Sequence, residues 1–146
     1  MKKLLLFLMM LLPVGVMAQT GKYEVLDIKK IASMLIAEKE SRQINDAPFI
    51  DYLDSLGFKR NRQIGVDNYE YKLGDAPITV RVSSEGNERC FELYAEDHSF
   101  CWYHFVRLKE FGLKGPDTIA KGKGLTAVAG RDRLRISYAL PQKGNE

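Results

Sequence analysis

The sequence predicts an α+β fold: N-terminal amphipathic helices packed on one face of a mainly antiparallel, meander-like sheet of about five or six strands. Three observations carry this. Apolar residues recur every three or four positions between residues 23 and 56, the period then falls to two, and short turn segments separate the alternating runs.

The first helix is expected from about Tyr23 to Gln43. Ile28, Ile31, Ala32 and Leu35 form its apolar stripe, while Lys29, Lys30, Glu38, Lys39 and Glu40 fall largely elsewhere. The second is expected from Pro48 to Leu56, with Phe49, Tyr52, Leu53 and Leu56 on one stripe. Pro48 suits its first turn and Gly57 its C-terminal end.

Strands follow. Tyr69, Tyr71 and Leu73 alternate with Glu70 and Lys72, and the 74–77 turn (Gly-Asp-Ala-Pro) leads to Ile78, Val80 and Val82 alternating with Thr79, Arg81 and Ser83. A turn at 84–87 precedes Phe91, Leu93 and Ala95. Near the end, Leu134, Ile136, Tyr138 and Leu140 alternate with Arg133, Arg135 and Ser137, and Arg131-Asp132 turns this run back on Leu125 to Ala129. Clean alternation means one dry and one wet sheet face. Phe100 to Val106 is ambiguous. Its aromatic and β-branched residues favour a strand, whereas Leu108 to Phe111 followed by Gly112 resembles the last turn of a helix. The strand reading is preferred, and it puts Tyr94, Tyr103 and Phe105 on one face.

Ahead of this domain, Lys2 and Lys3 precede nine apolar residues, Leu4 to Leu12, and Val16-Met17-Ala18 forms a small-residue cleavage site before Gln19. That is the pattern of a secretory signal peptide over residues 1–18, with one domain over 19–146. The apolar run is shorter than the roughly 20 residues a membrane span needs, so no stable membrane insertion is expected after cleavage. No cysteine lies at the cleavage site for lipid attachment. The signal resembles Gram-negative ones and implies a periplasmic or secreted product that is not a lipoprotein.

The formal charge of +3 over 146 residues includes Lys2 and Lys3. Without the signal the net is +1, divided into −4 over Gln19 to Val106 and +5 over Arg107 to Glu146. Such a balance argues against a nucleic-acid partner. The late basic cluster, Lys121, Lys123, Arg131, Arg133 and Arg135, is a candidate patch for an anionic envelope component or an acidic protein. The competing reading is a wet sheet face with Glu70 and Glu92 as cross-strand neighbours.

Both cysteines and both histidines fall between Cys90 and His104. A Cys90–Cys101 disulfide suits an exported protein and would close a loop worth about 3 kcal/mol, although a strand-to-strand hairpin here holds the two thiols too far apart. Cys90, His98, Cys101 and His104 lack zinc-finger spacing, so no metal and no other cofactor is expected. A Cys101 nucleophile with His98 or His104 as base is the enzymatic alternative, a small hydrolase or thiol enzyme. The G-x-G-x-x-A run at 122–127 opens no predicted helix and reads as a flexible loop. Asp51 and Asp54 fit a solvated helix face.

The leading expectation is therefore a non-enzymatic exported module that binds a protein or cell-envelope component. Tyr94, Tyr103, Phe105, Arg131, Arg133 and Arg135 are its candidate contact residues.

Overall fold

The computed structural model describes residues 23–61, 68–73 and 78–141. The expected signal peptide and the 74–77 turn lie outside the described residues. Helix α1 (Ile28–Ser41) starts at Asp27, whose Oδ1 accepts from the amides of Lys29 (3.0 Å) and Lys30 (3.4 Å). Its stripe of Ile28, Ile31, Ala32 and Leu35 is buried, and Glu38 continues the stripe. Helix α2 (Ala47–Ser55) carries Pro48 in its first turn and buries Phe49 and Leu53.

Seven strands form one sheet: β1 (Phe58–Asn61), β2 (Asn68–Leu73), β3 (Ile78–Glu85), β4 (Glu88–Ala95), β5 (Ile119–Gly122), β6 (Leu125–Ala129) and β7 (Arg133–Ala139). Their order is β1-β2-β3-β4-β7-β6-β5, and each neighbouring pair is antiparallel. Two meanders thus meet at β4 and β7. The α+β architecture is the expected one, with two strands more securely formed than alternation alone reveals. β1 and β5 are four-residue edge strands, too short to show a period. The expected flexible loop at 122–127 is instead the tight β5–β6 hairpin, with Lys123 (φ 55°) and Gly124 (φ 81°) both left-handed as a two-residue turn requires.

Registration defines two faces. Val80, Leu93, Leu134 and Ala129 lie side by side across β3, β4, β7 and β6, and Val82, Phe91, Ile136 and Ala127 form the next row. All eight are buried and share one core with the apolar stripes of α1 and α2. The same core contains Phe100, Cys101, Phe105 and Leu108.

Those four belong to helix α3 (His98–Phe111), which replaces the strand expected over Phe100 to Val106. Packing decides the matter. At helical spacing Phe100, Cys101, His104, Phe105 and Leu108 all face the sheet, and burying such side chains is worth about 1.5–3 kcal/mol each, against tenths for intrinsic propensity. Asp97 caps the start through Ser99 N–H (3.0 Å), and the chain leaves at Gly112 with φ 126°.

A buried ion cluster ties the helical layer to the sheet. Arg89 is in phase with Phe91 and Leu93, so it points at the helices and is only 1% exposed. Its guanidinium donates to both carboxylate oxygens of Glu38 (2.8 and 3.1 Å), to Asp46, and to Ser84 Oγ. Tyr138 donates to Glu38 Oε1 (2.6 Å) and Asn45 N–H to Glu38 Oε2. Burial works against a charged guanidinium, but the Glu38 and Asp46 bonds outweigh it and hold the Arg89 pKa above its ordinary value.

Candidate functional site

The opposite sheet face has no described helix over it. Across β3, β4 and β7, registration places Arg81, Glu92 and Arg135 in one row of alternating charge, continued on β6 and β5 by Val128 and Ile119. The next row is small: Ser83, Cys90, Ser137 and Thr126. Beyond it Glu85 and Glu88 stand directly opposite each other, across a hairpin that turns at Gly86 and Asn87.

Alternating charges in register would lead one to expect Arg81 and Arg135 to pair with Glu92. Their ion pairs are elsewhere. Arg81 Nη2 binds Glu85 (2.8 Å) and Arg135 Nη2 binds Glu88 (2.7 Å), so each side chain arches over the small row toward the hairpin. Glu92 instead accepts from Tyr94 OH (2.8 Å) and lies 3.6 Å from Arg133. Desolvation, and then the Glu92 carboxylate, keep the Tyr94 hydroxyl protonated above its usual range.

The arched arginines explain an oddity of burial. Ser83 and Cys90 are each 1% exposed although no described helix lies over them. Arg135 also donates to Cys90 Sγ (2.9 Å). Burial pushes the Cys90 thiol up, and the Arg135 bond only partly offsets this. Three buried polar atoms here have no hydrogen-bond partner: Ser83 Oγ and the Nε of each arm, Arg81 and Arg135. Buried groups left this way normally cost 1–3 kcal/mol each.

The structure therefore brings together three of the residues singled out from sequence, Tyr94, Arg133 and Arg135, on one face. It separates the other three. Tyr103 is half-buried on α3 and donates to Glu24 (2.9 Å), while Phe105 is fully buried in the core because residue 105 lies in a helix. Arg131 sits before β7 in the β6–β7 turn and donates from Nε to His98 Nε2 (3.2 Å). Lys121 is on the open face and Lys123 in the β5–β6 turn, 4.0 Å over the Phe111 ring.

Cys90 and Cys101 are both free, so the possible bridge between them is not formed. Cys90 faces the open side and Cys101 the core, so the sheet itself stands between them. Nor does a thiol meet a histidine base. Cys101 donates to the Leu93 carbonyl (3.8 Å), and burial pushes its thiol up to about 11. His104 donates from Nε2 to the Tyr23 carbonyl (2.9 Å) and His98 from Nδ1 to the Arg131 carbonyl (2.9 Å). Burial drives His104 down to about 4, so at neutral pH it is a packed, neutral ring. Among the described residues no group of three or more His, Cys, Asp or Glu is placed to hold a metal ion.

Two further features escaped sequence reasoning. Trp102 (49% exposed) and Val106 lie one turn apart on the outer side of α3. The strand reading hid them, since only a helical period puts them together. A cavity of about 480 Å³ opens where Glu24 to Lys29 crosses α3, lined among others by Tyr52, Tyr103, His104 and Arg107. Most of its polar walls are already engaged, although the buried Nδ1 of His104 has no hydrogen-bond partner. Arg107 binds Tyr103 OH and Glu110, and Tyr52 OH accepts from Asp27 N–H.

A comparison with protein-family models, with curated proteins and with solved structures found no match. No helix among the described residues is long and apolar enough to cross a membrane.

Proposed function

We propose that this chain is an exported, non-enzymatic binding module of the periplasm or extracellular space, engaging a protein or cell-envelope component through the open face of its sheet. One observation carries the reading. The face without a described helix holds guanidinium groups whose bonding is incomplete, whereas the buried Arg89 under the helices is bonded to Glu38, Asp46 and Ser84. Export rests on the basic, apolar and small-residue segments of residues 1–18. The thiol-enzyme alternative gains nothing from this geometry, because neither thiol has a histidine beside it.

The test is site-specific photo-crosslinking in intact cells. A photoreactive residue at Thr79 or Tyr94, both on the open face, is expected to capture a discrete partner. The same residue at exposed Asp51 on α2 is expected to capture none. Equal capture from both positions, or capture from Asp51 alone, would contradict the reading. Osmotic-shock fractionation tests export separately, and retention with the cytoplasmic fraction would exclude it.

A further inference from the structure

We infer that the open face takes an acidic peptide segment, whose carboxylates seat on Arg81 and Arg135 in place of Glu85 and Glu88. This rests on the binding-module reading and gives that module's partner a chemistry.

Charge points to an acidic occupant. Among the described side chains, six cationic residues and three acidic ones (Glu85, Glu88 and Glu92) occupy strand positions on this face by register.

Bonding points to the two arginines. A guanidinium offers five donors and binds a carboxylate best with two parallel bonds. Among the described residues Arg81 gives Glu85 a single bond from Nη2, and Arg135 uses Nη2 for both Glu88 and Cys90 Sγ, so neither makes the two parallel bonds a carboxylate can take, and both Nε groups are buried without a partner. Glu85 and Glu88 are themselves held opposite each other, at 57% and 51% side-chain exposure, so an incoming carboxylate displaces a repelling pair rather than a buried one.

Spacing defines the segment. Arg81 and Arg135 are two strands apart, about 10 Å at ordinary sheet spacing, which a peptide in the polyproline II conformation covers in about three residues while returning both side chains to the same side. The same row ends in Val128 and Ile119, an exposed apolar pair one and two strands further on. The fitting segment is a polyproline II-like stretch that carries two acidic residues three positions apart, with apolar side chains following.

Isothermal titration of the purified protein with an acetylated, amidated peptide carrying two glutamates three residues apart and then two leucines provides the test. Binding is expected, and replacing both glutamates by glutamine in the peptide should weaken it by about tenfold or more. In the protein, Arg81→Gln with Arg135→Gln should do the same. Glu85→Gln with Glu88→Gln removes the internal competitors without touching the arginines and should tighten binding by about threefold or more. Equal binding of the glutamine peptide, or no change in either double variant, would overturn the inference. So would binding to phosphatidylglycerol vesicles but not to the peptide. Failure here with persistent crosslinking from Thr79 would refute the acidic segment and leave the open-face reading standing.

Discussion

The sheet carries arginine–carboxylate pairs on both of its faces, and the two sets are built differently. Under the helices, Arg89 meets Glu38, Asp46 and Ser84, and Glu38 in turn receives Tyr138 OH and the Asn45 amide. On the open side, among the described residues, Arg81 holds Glu85 and Arg135 holds Glu88 and Cys90 Sγ, and both leave Nε without a partner. Satisfied, buried charge specifies how α1 and the α1–α2 connection sit on β4 and β7. Partly satisfied, half-buried charge adds little to that arrangement and, in the proposed reading, is available for a partner. The same side-chain chemistry thus does structural work on one face and, in the proposed reading, recognition on the other.

Removing the buried arginine should have the largest effect. Arg89→Ala strands Glu38 in the core and is expected to cost about 3–5 kcal/mol in urea denaturation, enough to threaten folding of a domain this size. A loss below about 1 kcal/mol would mean that the cluster contributes little.

His104 gives a comparable effect through pH. Burial lowers its folded pKa from 6.5 to about 4, so between those values the unfolded chain binds a proton that the folded chain does not. Stability contributed by the neutral ring is present above pH 6.5 and falls as pH drops toward 4, by about 3 kcal/mol in total. His104→Gln should flatten that part of the stability–pH curve, and a wild-type slope unchanged in the variant would exclude the ring as its source.

The thiols report the two faces directly. Cys101 lies in the core, whereas Cys90 is covered by the arm of Arg135. In the native state a thiol reagent should modify Cys90 first, and Arg135→Ala should speed that reaction by about tenfold while leaving Cys101 at its unfolding-limited rate. Equal acceleration of both thiols would show global loosening instead. Smallest of all, Arg81→Gln with Arg135→Gln should change stability by less than about 1 kcal/mol, since each ion pair is a surface one.

Much of this division was legible beforehand. Period alone located α1, α2 and the meander, and the alternation of Arg133 and Arg135 with Leu134 and Ile136 put the two arginines on the wet face. The α3 segment was not legible because its local preference and its packing disagree, and only contact with β4, β7 and α1 reveals which prevails. Two candidate residues, Tyr103 and Phe105, were misplaced with it. The buried cluster joins residues 51 positions apart, so no local pattern displays it. A signal was nonetheless present: Arg89 is in phase with Phe91, Leu93 and Ala95, which marks it as inward-facing. The bending of Arg81 and Arg135 toward the hairpin is a matter of rotamers and leaves no trace in spacing.

The most direct measurement compares the Arg81→Gln, Arg135→Gln double variant with wild type in two readouts at once, thermal denaturation and crosslinking from Thr79. The expected result is a melting temperature within a few degrees of wild type and a lost crosslink. A retained crosslink at unchanged stability would contradict the assignment of recognition to the open-face arginines.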